Sequence, residues 1–348
     1  MSEGVTTASS GVDGVAWEHL IPGDEVREFA ATVRARLTSH HPTTALLRLT
    51  VGAEPTLEGW DDLVALGILS IGLPEELDGL GTLADLAIVT EEVGRSLVPL
   101  PVTTTAAAVH TLIRAGLEPD PTAPTALAVD GGARPLRIFD GLFAGTVVLV
   151  SSDGDGTMIR HLAVADRTTP SSQIDATRPT VTIEPGDVVA EVRVGATFDE
   201  VLGPARVVVA ADLVGVADLA LDMTVAHALD RHQFGRPIGS FQGVMHQLAD
   251  AHVALERARS LVRGAASALV TGPDAHETVR LTLLAKAAAS EVAVSATALR
   301  TQLLGAMGLT FESDNHLSLR RARATAPFLG KAADLYARVA ALYLEDRE

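Results

Sequence analysis

The spacing of apolar positions divides the chain into three regions. Over residues 16–118 apolar side chains recur every three or four positions, as in 24–37 and 59–67, which indicates amphipathic helices. Over residues 125–203 short runs of Val, Ile and Leu alternate with turn residues, and the Asp-Gly-Asp-Gly segment at 153–156 predicts a hairpin. No helical pattern there is long enough to cross over between parallel strands. We therefore expect a small antiparallel sheet or barrel.

Long helical patterns return from residue 206 onward, and the last of them runs from about 327 to 344. Four long helices joined by short turns are typical of an antiparallel bundle. Three prolines within 119–124 form a natural linker. The predicted fold class is α+β, mostly α, in the order helical, β, helical. The predicted divisions are a disordered leader at 1–14, a helical domain at 15–120, a β domain at 121–204 and a four-helix bundle at 205–348.

Composition narrows the classes of function. The chain has 27 Lys+Arg against 44 Asp+Glu, a formal net charge of −17, which argues against nucleic acid or an anionic membrane as a general partner. The absence of cysteine excludes disulfides, thiolate zinc sites and iron–sulfur clusters. No apolar run approaches roughly 18 residues without a charge, and the acidic leader lacks an apolar segment. We therefore expect a cytoplasmic protein without a membrane span.

Motifs for several common chemistries are absent from the sequence. There is no G-x-S-x-G, no H-E-x-x-H and no G-x-x-x-x-G-K-[ST]. His246 and Asp250 lie four positions apart on one predicted helix and could share a metal, but a solvated polar face is the favoured explanation. We therefore predict no metal site.

Two segments carry more information, at 230–250 and 302–312. In the first, a helix ends at Arg231 and a glycine–proline turn leads into a new helix. A guanidinium at a helix end suits a bidentate diphosphate contact, although physics alone favours an ordinary turn with a solvated Arg. In the second, a helix ends in a glycine-rich stretch whose backbone could approach a ligand closely. By itself this is a common helix end.

Together the two segments resemble the acyl-CoA dehydrogenase family. The family pattern R-x-Q-F-G-x-P-I/L-x-x-F-Q-x-V-x-H-x-L-A-D matches over 231–250, and Q-x-x-G-G-x-G-x-x-x-E matches over 302–312, with Ala306 in place of the second glycine. The N-terminal region is also similar, at Trp60, at Gly67 and in the Pro-Glu-Glu-Leu-Asp-Gly-Leu-Gly segment.

The resemblance implies an FAD enzyme fold, commonly tetrameric. In such enzymes a base removes the α-proton of an acyl-CoA thioester while the β-hydride moves to the flavin. Residues of both motifs reach across a dimer interface to the neighbour's FAD. Carried over to this sequence, the implied FAD contacts are Arg231, Phe234, Gln242, Gln302 and Gly305.

The sequence departs from the family where the catalytic Glu is expected. Of the two usual positions, one holds Leu329 and the other Ala205, and neither side chain can accept a proton. Glu312 is a weak candidate substitute, for which a structural hydrogen-bonding role is favoured. The middle domain also lacks the T-E-P-x-x-G-S-D segment and the strand Trp, so Phe139 and Phe143 are its available aromatic side chains for a flavin ring.

The combination is similar to the small subunits of actinobacterial heterotetrameric acyl-CoA dehydrogenases of steroid side-chain breakdown. The leading interpretation is a non-catalytic subunit that completes an FAD site within an α2β2 complex with a homologous catalytic subunit. Acyl-CoA is then the substrate, and electron-transfer flavoprotein is a further candidate partner. Two alternatives stay open: a self-sufficient dehydrogenase using Glu312 or a displaced carboxylate, and a flavin-free structural or interaction protein on the same fold.

Overall fold

The computed structural model describes residues 20–132, 136–154, 156–170, 173–272, 274–311 and 313–345. The predicted leader at 1–14 and the candidate base Glu312 lie outside these described residues.

The first region is helical, as its periodicity predicted. Its helices are α1 Asp24–His40, α2 Thr43–Leu49, α3 Trp60–Ala65, α4 Leu83–Ser96 and α5 Val102–Arg114. Helix α4 begins at a capping box, in which Thr82 and Asp85 satisfy each other's backbone N–H groups. The buried Trp60 donates its indole N–H to the carbonyl oxygen of Thr122 (2.9 Å), which ties the proline-rich linker to the helical domain.

The middle region forms one five-stranded sheet. Its strands are β1 Thr125–Val129, β2 Leu136–Ile138, β3 Thr146–Asp153, β4 Gly156–Thr168 and β5 Val181–Val194, in the order β1-β3-β4-β5-β2. The predicted hairpin is confirmed, because Asp153 pairs with Gly156 where β3 turns into β4. The expectation of a wholly antiparallel sheet is wrong at one pair, since β1 and β3 are parallel. Strand β2 lies at the far edge of the sheet, beside β5. The connection between the parallel strands β1 and β3 therefore contains a strand rather than a helix.

The last region contains α6 Phe198–Asp230, α7 Gln242–Thr271, α8 Ala275–Leu304, α9 Asn315–Thr325 and α10 Ala332–Glu345. Helix α6 begins earlier than its apolar pattern indicated, because Thr197 and Glu200 form a capping box, and Pro204 lies in its second turn. The boundary suggested at 204/205 therefore falls inside α6.

The expected helix at 327–344 is also shorter than predicted. Helix α9 ends at Thr325 and α10 begins at Ala332. Between them Leu329 has φ 59° and Gly330 has φ 122°, backbone conformations that an α-helix cannot contain. A separate loop therefore occupies 326–331.

Helix α6 is the centre of the molecule. It is buried along most of its length and packs against α4, α5, α7 and α8. Helix α8 and the turn after it (Ala275–Leu309) are long and apolar enough to cross a membrane, but 67% of the apolar window is buried inside the protein. Such burial is what the core helix of a bundle shows.

Short connections place both sequence motifs at one end of the bundle. Helix α7 runs back along α6 after the turn at 231–241, and α8, which begins at Ala275, returns along α7. The end of α6, the start of α7 and the end of α8 therefore lie together. We call this region, residues 229–245 and 302–311, the motif end.

Candidate functional site

A short hairpin at the motif end presents the first motif. Strand β6 His232–Gln233 pairs with β7 Arg236–Pro237, and the two-residue turn between them is Phe234–Gly235. Both turn residues have positive φ (52° and 78°), as a type I′ turn requires. A left-handed conformation costs about 1–2 kcal/mol for a residue with a Cβ. Phe234 is nevertheless 93% exposed, so its own packing offsets little of that strain.

Aromatic contacts shape the surface beside this turn. The ring of Phe234 stands edge-on to that of Phe241, with centroids 6.2 Å apart. The guanidinium carbon of Arg236 lies 4.0 Å from the centroid of the Phe241 ring, a cation–π contact. Phe241 thus contacts two side chains of the hairpin that precedes it.

All five residues implied as FAD contacts are exposed at the motif end. Arg231 lies at the end of α6 and Gln242 at the start of α7, beside Phe234. Gln302 lies in the last turn of α8, and Gly305 follows it with φ 63°. A Cβ at Gly305 would meet no atom within 4 Å, so its backbone is open to an incoming ligand. The structure therefore places these residues at the same end of the bundle and leaves them exposed.

The two positions at which the resemblance implies a catalytic Glu have the opposite environment. Ala205 is 0% exposed and Leu329 is 6% exposed, and both belong to the main hydrophobic core. They come close through Arg206, whose Nε donates to the carbonyl oxygen of Leu329 (3.3 Å). Arg206 also forms an ion pair with Asp199 (2.9 Å). A buried lysine makes further hydrogen bonds to the loop around Leu329.

Lys286 is a fully buried cation beneath that loop. Its Nζ donates to the carbonyl oxygens of Gly330 (2.7 Å) and Ala326, and the Ser290 hydroxyl also donates to Ala326 (3.2 Å). Burial, together with the nearby Arg206, lowers the pKa of Lys286 to about 7. The side chains that hydrogen-bond directly to the backbone of the Leu329 loop, Arg206, Lys286 and Ser290, thus act as donors.

Sequence reasoning missed a buried ion network in the same interior. Arg178 donates to both carboxylate oxygens of Asp212 (2.6 and 2.8 Å) and to the Thr103 hydroxyl (3.0 Å). Asp140 lies 3.7 Å from Arg178 and accepts from Thr104 (3.1 Å). Burial raises the pKa of the Asp140 carboxyl to about 7, although Arg178 acts in the opposite direction.

A second buried arginine extends the network to α9. Arg321 pairs with Asp175 (2.8 Å) and donates to the carbonyl oxygens of Leu97 and Val98 (both 2.9 Å). Phe139, beside Asp140, packs against Phe328, beside Leu329, with ring centroids 4.9 Å apart and the rings tilted by 38°. Groups from all three regions therefore meet in this network, and the Phe139–Phe328 contact lies beside Leu329. Asp212, inside an otherwise apolar run, was the available sequence signal for this network.

No group of three or more His, Asp or Glu side chains that could hold a metal occurs among the described residues. His246 and Asp250 both lie exposed on α7.

Two relatives illustrate what the chain is similar to in sequence. The acyl-CoA dehydrogenase IpdE2 of Mycobacterium tuberculosis is 38% identical over 135 residues, 39% of this chain and 40% of that protein. IpdE2 of Mycolicibacterium smegmatis is 33% identical over 184 residues, 53% of this chain and 54% of that protein. The chain thus matches about half or less of the length of these relatives.

Three solved structures share the fold. A variant of the Tcur3481-Tcur3483 steroid ACAD has a TM-score of 0.79 at 23% identity, covering 93% of this chain and 99% of that one. The butyryl-CoA dehydrogenase of Megasphaera elsdenii has a TM-score of 0.78 at 20% identity, with coverage of 93% and 99%. The ChsE4-ChsE5 complex of Mycobacterium tuberculosis has a TM-score of 0.76 at 21% identity, with coverage of 94% and 99%.

Two family models complete the comparison. The N-terminal domain of acyl-CoA dehydrogenase matches residues 23–119, and its C-terminal domain matches residues 196–341. The predicted fold class is confirmed by these matches and by the solved structures. The chain belongs to the acyl-CoA dehydrogenase family.

Proposed function

We propose that this chain is a subunit of an FAD-dependent acyl-CoA dehydrogenase that contributes FAD contacts across a subunit interface and lacks a catalytic base of its own. One contrast carries the proposal. The five implied FAD contacts are exposed together at the motif end, whereas the two base positions hold Ala205 and Leu329 inside the core.

The residues of the motif end suit a nucleotide cofactor chemically. The Arg231 guanidinium matches the oxygens of a diphosphate, and the Gln242 and Gln302 amides can each donate and accept hydrogen bonds. Gly305 leaves its backbone accessible to a ligand. When bound, FAD would supply the hydride acceptor for α,β-desaturation of an acyl-CoA thioester. This chain would bind and orient that cofactor for its neighbour.

The contacts inside the protein support the proposal that the chain lacks a catalytic base. Proton abstraction needs a carboxylate or another base within hydrogen-bond reach of the α-carbon proton. Next to Leu329, Arg206 and Lys286 direct N–H groups at backbone carbonyls. Phe328, beside Leu329, packs against Phe139, and neither ring can accept a proton.

The proposed partner is a homologous catalytic subunit in an α2β2 heterotetramer located in the cytoplasm. Two structural neighbours support this choice, because one is the ChsE4-ChsE5 complex and another a steroid ACAD named for two components. The proposed substrate is an acyl-CoA, with steroid side-chain thioesters as the first to test. Electron-transfer flavoprotein is the proposed electron acceptor of the complex.

The deciding experiment measures bound flavin. The chain is purified alone and after co-expression with a neighbouring dehydrogenase-like gene product, and flavin per chain is read from absorbance. We expect a colourless, inactive lone chain and a yellow complex that oxidises acyl-CoA. Full flavin occupancy and turnover by the lone chain would overturn the proposal, and loss of that turnover in Glu312→Gln would identify a self-sufficient enzyme. A flavin-free interaction protein would leave the FAD content of the complex unaltered in Arg231→Ala.

A further inference from the structure

The hairpin at the motif end carries a second arginine at a position that the family pattern leaves open. Gln233 pairs with Arg236 across the hairpin, and the backbone N–H of Ile238 donates to the carbonyl oxygen of Arg231 (2.8 Å). Paired residues of antiparallel strands project to the same face, as do residues two apart on an extended strand. Arg231, which has extended backbone angles, therefore shares one hairpin face with Gln233 and Arg236.

This face lies in a locally basic stretch of an acidic protein. Between Asp230 and Asp250 the chain contains two arginines and two histidines and no Asp or Glu, although the whole chain carries a net charge of −17. Local positive charge in an otherwise negative surface attracts an anion to that spot.

Arg236 is also held in place. Its guanidinium stacks on Phe241, which in turn contacts Phe234 edge-on. A guanidinium stacked on an aromatic ring keeps its N–H edge free for hydrogen bonds in the ring plane. The stack therefore reduces the rotamer freedom that Arg236 would lose on binding a ligand.

We propose that Arg236 acts with Arg231 as a second guanidinium that binds the organic diphosphate of a nucleotide held by a neighbouring subunit. The inference rests on the proposed function and deepens it. Two guanidiniums on one face match the two negative charges of a diphosphate, each offering a planar fork of N–H donors. FAD and coenzyme A both contain such a group, and the test separates them.

The test compares three single variants in the assembled complex: Arg236→Gln, Arg231→Gln and Arg257→Gln. Arg257 is exposed on α7, far along the helix from the hairpin, and serves as the matched control. The complex is stripped of flavin, and the FAD dissociation constant is measured by fluorescence at low and at moderate salt. The KM for acyl-CoA is measured on the same reconstituted preparations.

We expect Arg236→Gln and Arg231→Gln each to raise the FAD dissociation constant by roughly tenfold or more, and to weaken its dependence on salt, with Arg257→Gln unchanged. Arg236→Lys keeps the positive charge but lacks the planar N–H donors of a guanidinium, so it should recover part of the lost FAD affinity. If instead Arg236→Gln raises the KM for acyl-CoA and leaves FAD binding unchanged, while Arg231→Gln weakens FAD binding, the diphosphate that Arg236 binds belongs to coenzyme A.

The inference is overturned if Arg236→Gln leaves both constants within twofold of the parent while Arg231→Gln weakens FAD binding. That result would leave the proposed function intact. If Arg231→Gln also has no effect on FAD binding, the proposed function fails with it. Thermal unfolding of each variant separates these outcomes from misfolding.

Discussion

Phe234 occupies a turn position for which hairpins favour Asn, Asp or Gly. Its φ of 52° is unfavourable for a bulky residue, and its ring is 93% exposed, so the folded chain gains little from it. A residue retained under such strain at a surface turn indicates a role in binding rather than in folding.

Replacing Phe234 tests whether the residue serves FAD binding rather than folding. Both Phe234→Asn and Phe234→Ala remove the ring, but Asn tolerates the left-handed region better than Ala. We expect the Asn variant to exceed the Ala variant in free energy of unfolding by about 1 kcal/mol, measured by denaturant titration of the lone chain. Both variants should reduce the FAD content of the complex equally. Equal stabilities of the two variants would contradict the assigned strain.

Lys286 is a second residue whose environment has a measurable consequence. Its pKa in the folded chain is lowered from 10.5 to about 7, so between these two pH values the unfolded chain binds more protons than the folded chain. The free energy of unfolding must therefore rise with pH across that window. Below about pH 7 the contribution of Lys286 becomes constant, because the residue is protonated in both states.

A matched pair of variants isolates this effect, because Lys286 and Lys331 are the only lysines in the chain. Denaturant titrations at pH 7, 8 and 9 should give a stability that increases with pH in the parent and in Lys331→Met, whose side chain is exposed. In Lys286→Met the increase should be lost. A slope that persists in Lys286→Met would show that another group is responsible.

At the scale of elements, the sequence predicted what depends on local patterns. Periodicity located the helices, and the Asp-Gly-Asp-Gly turn located the β3–β4 hairpin, since both depend on neighbours in the chain. The parallel β1–β3 pair depends on where β2 docks, a long-range choice without a local signal. The start of α6 was misplaced because the apolar pattern outweighed the Thr197–Glu200 capping box.

The residues of the candidate site also differ in whether local sequence or long-range packing determines them. The motif-end residues were predicted because their resemblance to the family is contiguous in sequence. The buried network joins Arg178 of the middle region to Asp212 of α6 and Arg321 to Asp175, pairs separated by many residues. Long-range pairing of this kind becomes visible only when the three regions pack together.

The network gives a prediction about how the regions are held together. Arg178→Met leaves the Asp212 carboxylate buried without its guanidinium, which should cost about 3–5 kcal/mol in free energy of unfolding. Replacing both partners, in Arg178→Met with Asp212→Leu, should recover much of that loss. The control is Arg193→Met, which breaks an exposed pair with Asp153 and should cost about 1 kcal/mol or less. A double variant as unstable as the single one would argue against this account.

At the scale of the whole molecule, exposed apolar side chains gather at the motif end. Those exposed there are Leu229, Phe234, Met245, Met307, Leu309 and Phe311, with exposures from 47% to 93%. Several exposed apolar side chains near polar binding groups are what a protein–protein contact would bury. An FAD site completed across an interface needs such a contact, because the cofactor and the two protein surfaces must be held together.

Polar substitution in this region should therefore weaken assembly without weakening the fold. In the double variant Leu229→Gln with Leu309→Gln, we expect the subunit dissociation constant of the complex to rise roughly tenfold or more. Sedimentation over a range of concentrations measures this constant. The free energy of unfolding of the lone chain should change little, because Leu229 and Leu309 are 65% and 78% exposed. The control, Val188→Gln with Val189→Gln, alters side chains on β5 that are 59% and 58% exposed. If both double variants assemble equally well, the motif end is not the surface that joins the subunits, and an FAD site shared there loses its physical basis.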